Sequence, residues 1–95
     1  MSESTLQSKI MAFCKTMDVL CYKFASPSKR GVPDLLVVSN GRCLFLEVKN
    51  PNGRGRVSAL QQREIDRLNR NDTPAFVVDD LDTAKDIVTT WLNSN

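Results

Sequence analysis

The 95-residue chain contains no histidine. That removes the commonest general base and every Ser-His or Cys-His nucleophile pair. It holds three cysteines, Cys14, Cys21 and Cys43, an odd number with no Cys-x-x-Cys spacing. Without histidine a zinc site would need a carboxylate, and each cysteine falls at an apolar position, where free Cys acts as a small hydrophobe. No apolar run approaches the ~18–20 residues of a membrane span. The N-terminus opens on a polar, Glu-containing stretch with no signal-peptide pattern, so a cytoplasmic location is expected by default. Repeats and internal domain boundaries are missing too. Any hydrolysis by this chain must run on carboxylates, lysine and metal.

What is present reads as one globular domain, residues 1–95, near the lower comfortable size for a self-sufficient core. Hydrophobic residues make up 41% and charged residues 25%, ordinary values for a soluble protein. The net charge is only +2, but it is unevenly spread. Lys29, Arg30, Lys49, Arg54, Arg56, Arg63, Arg67 and Arg70 crowd the middle, while Asp79, Asp80, Asp82 and Asp86 gather near the C-terminus.

The most informative stretch is Gly31-Val32-Pro33-Asp34-Leu35-Leu36, followed by Glu47-Val48-Lys49, with Asn40-Gly41 between them. Asn-Gly between apolar runs is the strongest short-range sign of a two-residue type I′ hairpin turn. If these two residues are the loop, Ser39 faces Arg42 and every later pair has position numbers summing to 81. Asp34 then faces Glu47, with Cβ atoms roughly 4.5–5.5 Å apart. Lys49 projects from the same face because strand side chains alternate. One face carries Asp34, Leu36, Val38, Cys43, Phe45, Glu47 and Lys49; the other carries Leu35, Val37, Leu44, Leu46 and Val48. Both are apolar away from the acids, so helices are expected on both sides of the sheet.

Ser2 or Ser4 can cap a first helix, with Ser4-x-x-Gln7 as a capping box and Leu6, Ile10, Phe13, Cys14 and Met17 as its stripe. Val19 to Ala25 reads as a strand, and 26–31 as a polar, basic loop. The hairpin runs over 34–39 and 42–49. Asn50 to Arg56 is the most loop-like stretch, carrying two arginines on a flexible backbone. Ser58-x-x-Gln61 is a second capping box, opening a helix to about Asn71. Ala75 to Val78 is a short strand, and Asp82 caps a last helix with Ala84, Ile87, Val88, Trp91 and Leu92 as its apolar stripe. The order is αβββαβα.

Opposed carboxylates destabilise a sheet unless something compensates. A divalent cation does so, and hard Mg²⁺ or Mn²⁺ suits oxygen ligands from Asp34 and Glu47 with the Val48 backbone carbonyl as a third. Lys49 would then orient or deprotonate the attacking water or stabilise developing negative charge, which together make a phosphodiesterase site. The plainer alternative makes Lys49 a cross-strand ion-pair partner of either acid.

Gly31-Val32-Pro33-Asp34-Leu35, Glu47-Val48-Lys49 and Gly53-Arg54-Gly55-Arg56-Val57-Ser58-x-x-Gln61 resemble the VRR-NUC (virus-type replication-repair nuclease) domain of the PD-(D/E)xK superfamily, over roughly Glu3 to Trp91. The resemblance implies a restriction-endonuclease-like αβββαβ(α) core, a mixed central sheet with helices on both faces. It implies metal-dependent cleavage of DNA, with Asp34 and Glu47 as metal ligands and Lys49 as the catalytic lysine. Glu3 corresponds to a first-helix glutamate that helps organise the metal, and Gln61 to a second-helix glutamine beside the lysine. Glu3 has a simpler role as a favourable charge at a helix N-terminus, and Gln61 as the third residue of a capping box.

Stand-alone members of that family look like homodimeric enzymes acting on branched DNA, including four-way (Holliday-type) junctions, in a bacterial or phage-infected cell. Alternatives are a flap or non-specific DNA nuclease, or an inactive DNA-binding module of the same fold. Lys29, Arg30, Arg54 and Arg56 are the expected phosphate contacts, positioning the duplex without reading its sequence.

Overall fold

The computed structural model describes residues 1–94. The elements are α1 (Glu3–Thr16), β1 (Leu20–Lys23), β2 (Leu35–Ser39), β3 (Arg42–Val48), α2 (Ala59–Arg70), β4 (Ala75–Val78) and α3 (Leu81–Leu92). Asn40 and Gly41 have φ of 51° and 77°, the paired positive values of a type I′ turn. The register follows without a bulge: Ser39 pairs with Arg42, Val37 with Leu44 and Leu35 with Leu46. Strand order is β1-β2-β3-β4, with the first two pairings antiparallel and β3–β4 parallel. This is the mixed four-stranded α/β sheet that the element order implies.

Alternation then sorts the side chains. Leu35, Val37, Leu44, Leu46 and Val48 are fully buried on one face. Leu6, Ile10 and Cys14 of α1 and Ala84, Val88 and Trp91 of α3 close over them. The second face is covered unevenly. There α2 packs beside β4, burying Ile65, while Asn69 brackets Ala75 through hydrogen bonds to its N–H and C=O, both 3.1 Å. The β1 side of that face stays open, with Leu20, Tyr22 and Phe24 exposed.

One cap follows the first of two expected candidates, and one lies two residues from its expected place. Ser2 caps α1, accepting from the Thr5 N–H at 3.1 Å; Ser4 already lies inside the helix and cannot supply the extended backbone of a cap. Likewise Asp80 caps α3, accepting from the Thr83 N–H at 2.7 Å. Asp82 sits in the first turn, where its charge complements the helix dipole.

Gly31 couples the β1–β2 connection to α2. Its φ is +84°, and a Cβ there would lie 2.6 Å from the Leu60 carbonyl oxygen. Backbone meets backbone, so neither side can yield. Gly31→Ala is expected to cost at least about 1–2 kcal/mol from the left-handed conformation alone, before the clash is counted. Thermal denaturation should show a fall in Tm of roughly 10 °C for a domain of this size.

Candidate active site

Pro33 is fully buried immediately ahead of Asp34, and the Phe24 N–H donates to the Asp34 carbonyl at 2.7 Å. These contacts hold Asp34 one residue before β2, where the hairpin register carries it opposite Glu47. Its Oδ2 accepts the Val48 N–H at 2.9 Å. The side chain therefore reaches across to the neighbouring strand's backbone while remaining half-buried.

Glu47 is only 2% exposed, and its two oxygens have different fates. Oε2 accepts from Gln61 Nε2 at 3.2 Å and lies 3.5 Å from Lys49 Nζ. Oε1 is buried with no hydrogen-bond partner. A buried, unpartnered carboxylate oxygen is costly, and a second carboxyl, Asp34, lies opposite it. Burial, then the Asp34 charge and the proton the two carboxyls would share, push the Glu47 carboxyl up from 4.5 to about 7, against the opposing pull of Lys49.

That leftover oxygen has room for a cation's charge. Asp34 and Glu47 present hard oxygens at one point with a surplus of negative charge, which suits Mg²⁺ or Mn²⁺. Among the described residues no group of three or more His, Cys, Asp or Glu gathers, so the pair would be supplemented by water and the Val48 carbonyl. Glu3 is not brought into such a group; it is exposed in the first turn of α1. Its position favours the simpler role, a charge at a helix N-terminus.

Gln61 joins the two roles that its sequence position leaves open. Oε1 accepts from the Ser58 N–H at 2.9 Å, completing the capping box of α2. The same oxygen accepts from Lys49 Nζ at 2.8 Å, while Nε2 donates to Glu47. A helix cap thereby orients both Lys49 and Glu47. Lys49 is further hemmed in by Gly55, where a Cβ would lie 2.9 Å from the Lys49 Cβ.

The connection after Lys49 is more ordered than its composition suggests. Asn50 Oδ1 accepts the Asn52 N–H at 3.0 Å, and Asn52 Oδ1 accepts the Arg54 N–H at 2.8 Å, two successive Asx turns. Arg30, Arg54 and Arg56 are exposed and, among the described residues, form no ion pair. Lys29 differs. Its Nζ lies 3.4 Å from Glu64 Oε1, which also takes Arg67 Nη1 at 3.3 Å. Lys29 is thus a tie between its loop and α2, with its charge already engaged. Glu64 carries no signature in sequence beyond lying one turn after Gln61.

Comparison with known proteins follows the same lines. The VRR-NUC domain model matches residues 2–79. A protein named "Putative nuclease p44" from Acyrthosiphon pisum secondary endosymbiont phage 1 is 36% identical over 67 residues, 70% of each chain. A solved structure described as a VRR-NUC domain superposes with a TM-score of 0.81 at 24% identity, covering 94% of this chain and 96% of its own. A second, a VRR-NUC domain protein, gives 0.80 at 19% identity over 97% and 88%. At those identities the structural likeness speaks for the fold.

Proposed function

The chain belongs to the VRR-NUC domain family, and from that premise we propose that it is a Mg²⁺- or Mn²⁺-dependent endodeoxyribonuclease cutting branched DNA, four-way junctions foremost, as a homodimer. The observation that carries the metal-dependent reading is the division of labour on Glu47, one oxygen held by Gln61 and Lys49 and the other unpartnered beside Asp34. A divalent ion bound there would polarise the scissile phosphate and lower the pKa of a coordinated water. Asp34 and Glu47 would hold it. Lys49, fixed by Gln61, donates to the oxygen that gains charge in the transition state or orients the attacking water.

Arg30, Arg54 and Arg56 contact phosphates on either side. Among the described residues no helix is long and apolar enough to cross a membrane. A chain of this size offers a small footprint compared with the ~1,000–2,500 Å² of specific DNA interfaces. Two copies about a twofold axis would present two sites to two strands, which suits a branch point.

The test is a panel of labelled four-way junction, flap and linear duplex with Mg²⁺, Mn²⁺ or chelator. The expected result is cleavage of branched substrates only with metal, and none by Asp34→Ala. Binding without cutting by both wild type and Asp34→Ala would instead establish a DNA-binding module. If the arginines contact phosphate, affinity should fall steeply with salt, and light scattering should return twice the chain mass.

A further inference from the structure

The open part of the second sheet face runs directly into the acid pair. In β1–β2, Leu20 pairs with Val38 and Tyr22 with Leu36, and the Phe24 N–H to Asp34 carbonyl bond extends the ladder one step. Directly paired residues share a face, so Phe24, Asp34 and Glu47 form one row across three strands. Tyr22, Leu36 and Phe45 form the next row. Phe24 meets Phe45 edge to face, with centroids 5.7 Å apart and planes at 81°. That contact stiffens a residue that stays 37% exposed, with Tyr22 52% exposed beside it.

Exposed aromatics on a sheet face, with cations close by, form the arrangement that stacks splayed nucleobases. Both arginine-bearing connections leave the sheet at this end, one after Phe24 and the other after Lys49. A protein partner seated on Phe24 would also lie over Asp34 in the same row and close the acids off from any phosphate. A nucleobase on Phe24 would bring its own phosphate toward them.

We propose that Tyr22 and Phe24 form a stacking platform for unpaired nucleobases beside the bond to be cut, so that the site selects DNA able to unstack next to a branch. This rests on the nuclease reading for its substrate, and it explains preference for branched DNA without base-specific hydrogen bonds. Stacking on an aromatic is sequence-tolerant and strong enough to decide such a preference.

The test measures metal-free binding of Tyr22→Leu, Phe24→Leu and the double variant to two DNAs, one with unpaired nucleotides at a branch and one fully paired duplex. Leucine keeps the apolar packing and removes the ring. Each single variant should weaken binding to the unpaired DNA about tenfold, leave duplex binding within about twofold, and leave the mass by light scattering unchanged. A 2-aminopurine at the branch should lose its stacking-dependent fluorescence change. Equal weakening on both DNAs overturns the proposal, as does unchanged affinity for the unpaired DNA. A halved mass overturns it as well and makes the face a contact between copies of this chain. Wild type that cuts nothing while the leucine variants still lose the unpaired DNA would refute the nuclease reading and support the platform.

Discussion

Glu47→Gln is expected to stop cleavage and, without metal, to make the protein more stable. Cleavage should fall by at least about 10³-fold, because the substitution removes the charge of a proposed metal ligand at the centre of the site. Stability moves the other way because a carboxylate at Glu47 is buried opposite Asp34 with one oxygen unpartnered. A glutamine can keep its carbonyl on Gln61 and Lys49 while turning its amide toward the ionised Asp34. The Glu47 carboxyl rises from 4.5 to about 7 in the fold; at pH 8 that corresponds to about 3 kcal/mol of destabilisation relieved by the substitution. For a domain of this size the Tm should rise by roughly 15 °C. Mg²⁺ or Mn²⁺ should raise the wild-type Tm and leave that of Glu47→Gln nearly unmoved. A variant less stable than wild type at pH 8 without metal would contradict this account of the acid pair.

Below about 4.5 both folded and unfolded chains hold the Glu47 proton, and the group makes no demand on the fold. Between 4.5 and about 7 the folded state keeps a proton that the unfolded chain has released. Stability from this group is therefore lost as pH rises through that window, then levels off. Asp80 acts in the opposite sense. Its carboxyl is held low by the backbone and hydroxyl of Thr83, so its contribution disappears on acidification. Subtracting the Glu47→Gln profile from wild type, by thermal denaturation across pH 4–9, isolates the falling limb. Metal should flatten it, since binding needs the deprotonated form.

Much of this site is legible in sequence because one local rule determines it. Asn40-Gly41 allows few backbone conformations, and strand pairing carries that constraint outward residue by residue to Asp34 and Glu47. The capping box of Ser58 and Gln61 is equally local. What the sequence conceals lies where segments distant in the chain meet. Gly31 looks like a loop glycine until Leu60 is seen against it. Lys29 reads as a free cation because nothing local shows that Glu64 and Arg67 converge on it. The aromatic face is intermediate. Leu20, Tyr22 and Phe24 alternate visibly, but their exposure depends on α2 lying toward β4 and leaving β1 bare.

Lys49→Ala should lower kcat by about 10²–10⁴-fold while DNA affinity stays within a few-fold, since its loss removes charge stabilisation and not a phosphate-gripping arm. Two further consequences follow from its place between Gln61 and Glu47. Lys49 is the group that pulls the Glu47 carboxyl down against burial and Asp34. Removing it raises that carboxyl further, so the acid limb of the pH–rate profile should move to higher pH. Lys49→Arg should not restore the rate, because the planar guanidinium cannot occupy the space of an ammonium held 2.8 Å from Gln61 Oε1 and 3.5 Å from Glu47 Oε2. Gln61→Ala should be milder, about tenfold in kcat, since Lys49 keeps its contact with Glu47 and mainly its orientation is relaxed. That variant also loses the capping box, at a cost of about 1 kcal/mol. Single-turnover cleavage across pH 6–9 for the three variants reads all of these together. A rate that recovers to wild type on the plateau above the shifted acid limb would leave Lys49 as an ion-pair partner alone.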